Sequence, residues 1–205
     1  AERRGAETDA QALIRVDEEL RTSIPGIWAH SDCNGRGGFT HTSYHDYEIV
    51  GANLFDGGGR KVSERIPAYA LYTDPPLGRC GMNEREARAS GREVLVGRYP
   101  MEDVGRAFER SETEGFMKVL VDARTQEILG AALLGIEADE VMHTLLDLMY
   151  ARAPYTVVTR AMHVHPTVSE YLPSLFYALE PLAPGAPASD GQPTATGGRP
   201  GAVAG

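Results

Sequence analysis

Residues 116–135, FMKVLVDARTQEILGAALLG, decide the fold of this chain. Two apolar runs, FMKVLVD and EILGAALLG, flank the polar residues Ala123 to Gln126, which predicts an antiparallel β-hairpin. The second run is apolar on both of its alternating faces, which indicates a strand covered on both sides. We therefore expect a sheet built around this hairpin.

Shorter strands precede the hairpin. AYALYT, then LGRCGM after the Asp74-Pro75-Pro76 turn, and then EVLVGRY each have the composition of a strand. Between the last two, Asn83 and Glu86 form a capping-box pattern that predicts a short helix ending at Gly91. The expected fold class is α+β, with an antiparallel sheet flanked by helices.

A helix follows the hairpin. Residues 137–152 place apolar side chains at helical spacing, and Pro154 stops the pattern. A short helix, YTVVTRAM, follows, and Thr167 to Leu179 is the last predicted helix. Apolar residues of the two longer helices are candidates for the core or for a dimer interface: Val141, Leu145, Met149, Leu175 and Phe176.

The stretch MHVHPTVSE, Met162 to Glu170, lies between these helical patterns. It puts a titratable imidazole, His165, on a turn and a carboxylate, Glu170, one helical turn later, so a proton could be held and transferred there. Thr167 and Glu170 also match a capping box for the last helix. Both interpretations of Glu170 stay open.

The N-terminal third has a different pattern. LIRVDEELRTSIPGIWAHSD predicts two short strands, and Ile27 to Ala29 are typical of a buried parallel strand. The Gly-rich DCNGRGGF follows, and Thr40 is the predicted N-cap of a helix from about His41 to Phe55. Strand, Gly-rich loop and helix in this order suit a phosphate, a carboxylate or an electron-rich ring at the helix N-terminus.

Composition predicts three parts. The segment GGGRKVSER, Gly57 to Arg65, is a linker by composition, so we expect one unit over residues 1–60 and a second over 66–180. Residues 181–205 are rich in Pro, Gly, Ala and Ser and carry almost no large apolar side chain. Such a segment cannot bury enough surface to offset its ordering entropy, so we expect a disordered tail.

Charge and composition exclude several classes of function. The formal net charge of -9 argues against nucleic acid as a partner. No apolar run approaches the length of a membrane span and the first ten residues lack a signal-peptide core, so we expect no membrane association and a cytoplasmic location. Cys33 and Cys80 are too far apart in sequence to form a local redox pair.

Two segments together carry a family resemblance: IWAHSDCNGRGGFTHTSYHDYEIVGANLFDG, and YTDPPLGRCGMNEREARASG through MHVHPTVSE. They resemble the C-terminal part of the class I pyridine nucleotide-disulfide oxidoreductases, most closely the mercuric reductase-like branch. The spacing is an Asp, eight residues to a Thr at a helix start, and a distant His-Pro-x-x-x-Glu. The resemblance covers about Asp9 to Leu179, with residues 1–60 as the remnant strand-loop-helix of the FAD-binding α/β domain and residues 66–180 as the dimerisation domain.

The resemblance implies roles for five residues. Asp32 matches the aspartate that accepts hydrogen bonds from the flavin's ribityl chain, and Thr40 and His41 match the helix start facing the flavin's pyrimidine edge. His165 matches the acid/base that protonates the leaving thiolate of a disulfide, and Glu170 the carboxylate that orients it. The implied cofactors are FAD and NAD(P)H in the complete enzyme. The implied partner is a second copy or a full-length flavoprotein subunit, whose active site the histidine completes.

The chain also departs from the family pattern. The Gly-rich dinucleotide loop, the C-x-x-x-x-C helix and the NAD(P) domain have no counterpart, so we expect the chain alone to be inactive and not to retain FAD. Ser31 stands where the family has Gly before the aspartate, which adds a side chain near the cofactor. The cysteine pair that mercuric reductases carry near the C-terminus is missing, which argues against mercuric ion as substrate.

Other interpretations remain beside this one. Asp32 is also typical of a turn aspartate, and Thr40 of a plain N-cap. The chain could be a stand-alone dimerising module without redox activity. A small zinc-binding protein is a third possibility, because His41 with His45 and His163 with His165 have metal-ligand spacing and Cys33 and Cys80 could contribute.

Overall fold

A six-stranded antiparallel sheet forms the centre of the protein; the computed structural model describes residues 5–184. The strands are Ala68–Leu71 (β1), Leu77–Gly81 (β2), Val94–Pro100 (β3), Phe116–Asp122 (β4), Ile128–Leu134 (β5) and Glu180–Pro181 (β6). Their order is β1-β2-β5-β4-β3-β6, and all neighbours are antiparallel. The predicted hairpin is the central pair, β4 and β5, so the α+β fold class is confirmed.

Helices cover the sheet and precede it. The α-helices are Thr40–Phe55 (α1), Glu84–Ala89 (α2), Gly105–Arg110 (α3), Ala138–Tyr150 (α4), Thr156–Arg160 (α5) and Leu172–Tyr177 (α6). Short 3₁₀ helices occupy Ser31–Asn34, Val62–Glu64, Met101–Asp103 and Ser169–Tyr171. The predicted last helix is therefore a 3₁₀ turn followed by α6, and α3 was not predicted.

Apolar side chains are buried on both faces of the sheet, in two clusters of different size. The inner face carries the larger cluster, in which α4, α5 and α6 pack against alternate residues of β4 and β5, among them Met117, Val119, Val121, Ala131 and Leu133. On the outer face, α2 packs over a smaller cluster that contains Ala87, Val94, Val96, Leu120 and Leu129. The β5 strand contributes to both clusters, as its composition predicts.

Two strand glycines let helices approach the inner face closely. A Cβ at Gly78 in β2 would lie 2.3 Å from the Ala138 carbonyl oxygen at the start of α4. A Cβ at Gly97 in β3 would lie 2.0 Å from the Leu175 carbonyl oxygen in α6. Both contacts are too short for any side chain, so glycine at these positions sets how near α4 and α6 come to the sheet.

The N-terminal strands are absent from the structure, and that prediction was wrong. Residues 13–29 make only isolated bridges, Thr8 with Ile14 and Arg21 with Trp28. Ala29 is buried, but Ile27 and Trp28 are only half-buried. A parallel strand needs neighbouring strands to bond with, and within residues 5–184 none lies beside this segment.

Four of the candidate core or interface residues lie in the core of the chain itself, which is one of the two roles predicted for them: Val141, Leu145, Leu175 and Phe176.

One further expectation is corrected by the structure. Pro181 and Leu182, predicted to start a disordered tail, pair with β3 instead, and Leu182 packs against the outer cluster. The prediction failed here because it used the average composition of residues 181–205, which does not reveal a single large apolar residue such as Leu182. Residues 185–205 of that prediction lie outside the described residues.

In the described part of the chain, no helix combines the length and the apolar character that a membrane span requires.

Gly97→Ala tests the close approach of α6 to β3. The added methyl would have to push the Leu175 backbone away, so we expect a loss of about 3 kcal/mol in the free energy of unfolding, measured by urea denaturation. Gly51→Ala in α1 is the matched control, because a Cβ there meets nothing within 4 Å. We expect Gly51→Ala to stabilise by up to about 1 kcal/mol. An unchanged stability for Gly97→Ala would contradict the packing described here.

Candidate active site

The structure brings His165 and Glu170 together. The His165 Nδ1 lies 3.0 Å from both carboxylate oxygens of Glu170. The His165 side chain is 74% exposed, whereas that of Glu170 is 17% exposed. A proton on Nδ1 therefore points at the carboxylate, and Nε2 is the nitrogen free to exchange a proton with an outside molecule.

Glu170 also closes the predicted capping box. The Thr167 N–H donates to Glu170 Oε1 at 3.1 Å, and the Glu170 N–H donates to Thr167 Oγ1 at 3.2 Å. These bonds fix the carboxylate before any partner arrives. The Thr167 N–H, and next the His165 ring, hold the pKa of Glu170 below its usual value. Glu170 thus stays ionised at neutral pH, and its two interpretations are compatible in the structure.

The surface before His165 is apolar and exposed. Met162 is 95% exposed and Val164 is 73% exposed. His163, between them, turns inward and donates from Nε2 to the Val158 carbonyl oxygen at 3.0 Å. The chain therefore presents one histidine, His165, on an apolar surface that nothing in the described residues covers.

Asp32 lies beside the loop that leads to α1. Its carboxylate accepts from the Ser31 hydroxyl at 3.2 Å, and a Cβ at Gly38 would be 3.9 Å from its Oδ1. Asp32 is exposed and thus available as an acceptor. Ser31 has a φ of 69°, in the left-handed region that favours glycine. The backbone at Ser31 therefore suits the glycine that the family resemblance implies at this position better than it suits a serine.

Thr40 and His41 form the first turn of α1. The prediction of Thr40 as N-cap was wrong by one residue, because Phe39 is the N-cap and makes no side-chain capping bond. The His41 Nε2 donates to the Ala68 carbonyl oxygen at 2.8 Å, and its ring stacks on Phe39. The His41 side chain is therefore tied to β1, whereas the exposed Thr40 and the backbone N–H groups of this turn remain available to a ligand.

A hollow of about 510 Å³ lies between the start of α1, β1 and α4. Its lining is mainly apolar and includes Phe39, His41, Tyr69 and Leu146. Neither Asp32 nor His165 lines it. Of the candidate site residues, only His41 lines this hollow.

A buried ion pair holds the Asp32 turn, and the sequence analysis missed it. Asp46 in α1 is fully buried and forms an ion pair with Arg65 of the linker. It also accepts from the Ser31 N–H at 2.8 Å and from Asn34 Nδ2 at 3.1 Å. One carboxylate therefore joins α1, the linker and the 3₁₀ turn that carries Asp32. The sequence signal for the burial of Asp46 was its helical spacing from Thr42 and Ile49, which lie on the same buried face of α1.

His45 sits next to this pair, between two guanidinium groups. The Arg65 Nε donates to His45 Nδ1 at 3.1 Å, and Arg60 Nη2 lies 3.0 Å from His45 Nε2. Burial, and then the charges of Arg65 and Arg60, lower the pKa of His45. His45 is therefore a neutral part of the linker contact.

The geometry gives the zinc interpretation no support. Within residues 5–184, no three His, Cys, Asp or Glu side chains gather in a group that could hold a metal ion. Cys80 is fully buried, and burial raises the pKa of its thiol to about 12, so it remains protonated at neutral pH.

Comparison with known proteins identifies a matching family profile and several similar proteins. A family profile described as "pyridine nucleotide-disulphide oxidoreductase, dimerisation domain" matches residues 67–175. The chain is 36% identical over 177 residues to the probable pyridine nucleotide-disulfide oxidoreductase RclA of Escherichia coli, covering 85% of this chain and 40% of that protein. It is 32% identical to dihydrolipoyl dehydrogenase 2 of Haloarcula marismortui, covering 80% of this chain and 34% of that protein.

Solved structures give the same result. The HOCl-induced flavoprotein disulfide reductase RclA from Escherichia coli matches with a TM-score of 0.79 at 35% identity, over 85% of this chain and 40% of that one. LpdA from Mycobacterium tuberculosis, at 20% identity and a TM-score of 0.76, shares the fold. The chain spans about 40% of the length of these relatives. They are not mercuric reductases, so that branch stays a prediction.

Asp46→Asn tests the buried ion pair. The substitution leaves the nearly buried Arg65 guanidinium without its charge partner, so we expect a loss of about 3 kcal/mol in the free energy of unfolding. Glu112→Gln is the control, since its pair with Arg110 is half exposed on both sides, and we expect a change below about 0.5 kcal/mol. Equal effects of the two substitutions in urea denaturation would show that Asp46 does not hold this region together.

Ser31→Gly tests the backbone at the Asp32 turn. Glycine adopts a positive φ without strain, so we expect stabilisation of about 1 kcal/mol in thermal unfolding. The same exchange at Ser43, inside α1, should instead destabilise the protein by about 0.5 kcal/mol, because glycine is the poorer helix former. Destabilisation at both positions would contradict the left-handed conformation of Ser31.

Proposed function

Because this chain belongs to the pyridine nucleotide-disulphide oxidoreductase family through its dimerisation domain, we propose that it provides the acid/base pair of a flavin-dependent reductase. In this proposal, His165 and Glu170 complete the disulfide site of a partner subunit. The enzyme would be an FAD-dependent NAD(P)H:disulfide or metal-ion oxidoreductase. The observation that carries the proposal is the 3.0 Å contact between His165 Nδ1 and the Glu170 carboxylate, on a histidine whose outer nitrogen is exposed.

The chemistry follows from this geometry. Glu170 holds the proton of His165 on Nδ1 and stabilises the imidazolium that forms when Nε2 is also protonated. When a disulfide of the partner's substrate is reduced, one sulfur leaves as a thiolate. The Nε2–H of His165 donates its proton to that sulfur, which becomes a thiol, and the imidazole returns to the neutral form. Glu170 acts through His165 and does not touch the substrate.

The residues before α1 fit one end of a flavin. Asp32 offers an exposed carboxylate acceptor, and the first turn of α1 offers backbone N–H groups and the positive end of the helix dipole. These groups suit the ribityl hydroxyls and the pyrimidine edge, respectively. FAD, when bound, supplies the electron transfer from the nicotinamide to the disulfide. The His41 side chain, tied to Ala68, would have no part in this contact.

The proposed partner is a second copy or a full-length flavoprotein subunit. Dimerisation is the role of the matched domain, and the exposed Met162 and Val164 beside His165 are suited to burial by a partner. The division between residues 1–60 and 66–180 and the cytoplasmic location are proposals of the same kind. Inactivity of the chain alone is a further proposal, because the chain spans about 40% of the length of the relatives it matches.

A hybrid dimer tests the role of His165. A full-length relative, with its own counterpart of His165 replaced by Asn, is co-expressed with this chain, and NAD(P)H-dependent reduction of an aromatic disulfide is measured. We expect the chain to restore activity, and the chain with His165→Asn to fall at least about 100-fold short, in the range of general acid–base catalysis. His163→Asn is the matched control, because His163 points inward.

Two results would contradict the proposal. One is equal rescue by the unchanged chain and by the His165→Asn chain, in a hybrid shown to form by gel filtration. The other concerns inactivity: a flavin absorption spectrum and NAD(P)H turnover by the purified chain would show that it is active without a full-length subunit. A stable dimer of the chain that never joins a full-length subunit would favour the stand-alone dimerising module.

A further inference from the structure

The outer face of the sheet, opposite α4 to α6, carries a concentration of positive charge that the proposed reaction does not use. We propose that a pocket on this face binds a phosphate monoester whose phosphate is attached to a compact apolar group. The pocket is defined by α2, β2, β4 and β5 and has a volume of about 370 Å³. Four basic side chains line it, and a fifth reaches its rim: Arg79, Arg85, Arg88, Lys118 and, at the rim, Arg98.

Three of these cations already converge on one carboxylate. Lys118 Nζ lies 2.8 Å and Arg98 Nη2 3.1 Å from Glu84 Oε1, and Arg88 Nη2 lies 2.8 Å from Glu84 Oε2. The three cations come from different elements, namely β4, β3 and α2. Donors from three directions around one anionic group are the arrangement that a phosphate requires. The structure thus contains a formed anion cradle that the Glu84 carboxylate occupies, and Arg79 and Arg85 line the pocket beside it.

The charge of this cradle is not balanced by the protein. Among the residues that line the pocket, Glu84 is the acidic one, and Glu86 beside it reaches Arg79 only at 3.9 Å. The hydrogen bond from Lys118, together with those from Arg88 and Arg98, holds the pKa of Glu84 at about 2, so Glu84 is ionised throughout the physiological range. An excess of cations remains, on a chain whose net charge is -9. An added dianion would reduce this local repulsion.

The floor of the pocket is apolar. Met82, Leu120 and Ala132 line it below the charged rim, and its volume lies at the low end of the range for small-molecule sites. A free phosphate ion would leave this floor uncovered. A phosphate monoester with a small apolar group would place its oxygens at the rim and its body on the floor, which is why we infer this class of ligand.

Glu84 makes the inference testable, because it competes with the ligand for the same donors. Glu84→Gln removes one negative charge and frees those donors, so the binding of a dianion should become roughly fivefold tighter. Freed cations alone would bind phenyl phosphate and inorganic phosphate equally, so a preference for phenyl phosphate distinguishes the pocket from a bare cluster of charge. Glu109→Gln is the matched control, since Glu109 is paired with Arg106 at 3.0 Å on α3, which packs on the inner face.

The experiment is a calorimetric titration of the full chain with phenyl phosphate, inorganic phosphate and benzoate at low salt. We expect saturable one-to-one binding of phenyl phosphate, with inorganic phosphate weaker because it lacks the apolar body and benzoate weaker because it carries one charge. Arg98→Gln should weaken phenyl phosphate binding roughly fivefold. The Arg98 side chain is 59% exposed, so this variant should fold, as circular dichroism can verify.

The outcomes are distinct. Tighter binding by Glu84→Gln, weaker binding by Arg98→Gln and no change by Glu109→Gln support the site. The proposal is overturned if the unchanged chain fails to bind phenyl phosphate saturably, or if Glu84→Gln and Glu109→Gln change the affinity equally. Equal affinities for phenyl phosphate and inorganic phosphate would overturn the inference of an apolar body.

Discussion

Helix backbone lies against strand backbone at Gly78 and Gly97, and these two contacts set how closely α4 and α6 pack on the inner face of the sheet. Because neither glycine has a side chain, α4 and α6 sit closer to the sheet than any other residue would allow. The helix α6 begins just after the turn that carries His165 and Glu170, so its distance from β3 sets where that turn emerges at the surface. A packing constraint in the core thereby determines the place of the proposed chemistry.

Glu170 connects the fold to that chemistry. Its carboxylate accepts the Thr167 N–H and faces His165 Nδ1, so the bond that starts the last helical segment also fixes the tautomer of the histidine. The imidazole itself remains exposed and lies beside the uncovered Met162 and Val164. Within residues 5–184, no element covers this acid/base pair or the apolar side chains beside it. This exposure supports the proposed use of His165 by a second subunit.

Local patterns predicted most of the fold. The alternation in residues 116–135 and the capping boxes at Asn83 and Thr167 concern neighbouring residues, and all three are present as predicted. The features that sequence analysis predicted wrongly or missed depend on contacts with other parts of the chain or lack a local sequence signal. Ile27 to Ala29 have the composition of a strand but no neighbouring strand, and α3 begins at Gly105 without a side-chain cap. Asp46 and Arg65 are distant in sequence, so no local pattern predicts that they form an ion pair.

The central claim is that residue 165 of this chain reaches the redox cysteines of another subunit. Crosslinking measures this directly: a Cys33→Ser chain carrying His165→Cys is mixed with a full-length relative, and mixed disulfides are identified by peptide mass analysis. We expect a crosslink between position 165 and a redox cysteine of the relative, and none from His163→Cys, because the His163 side chain points inward. Crosslinks of equal yield from both positions, or none from position 165 in a complex that forms, would show that His165 does not reach the redox cysteines.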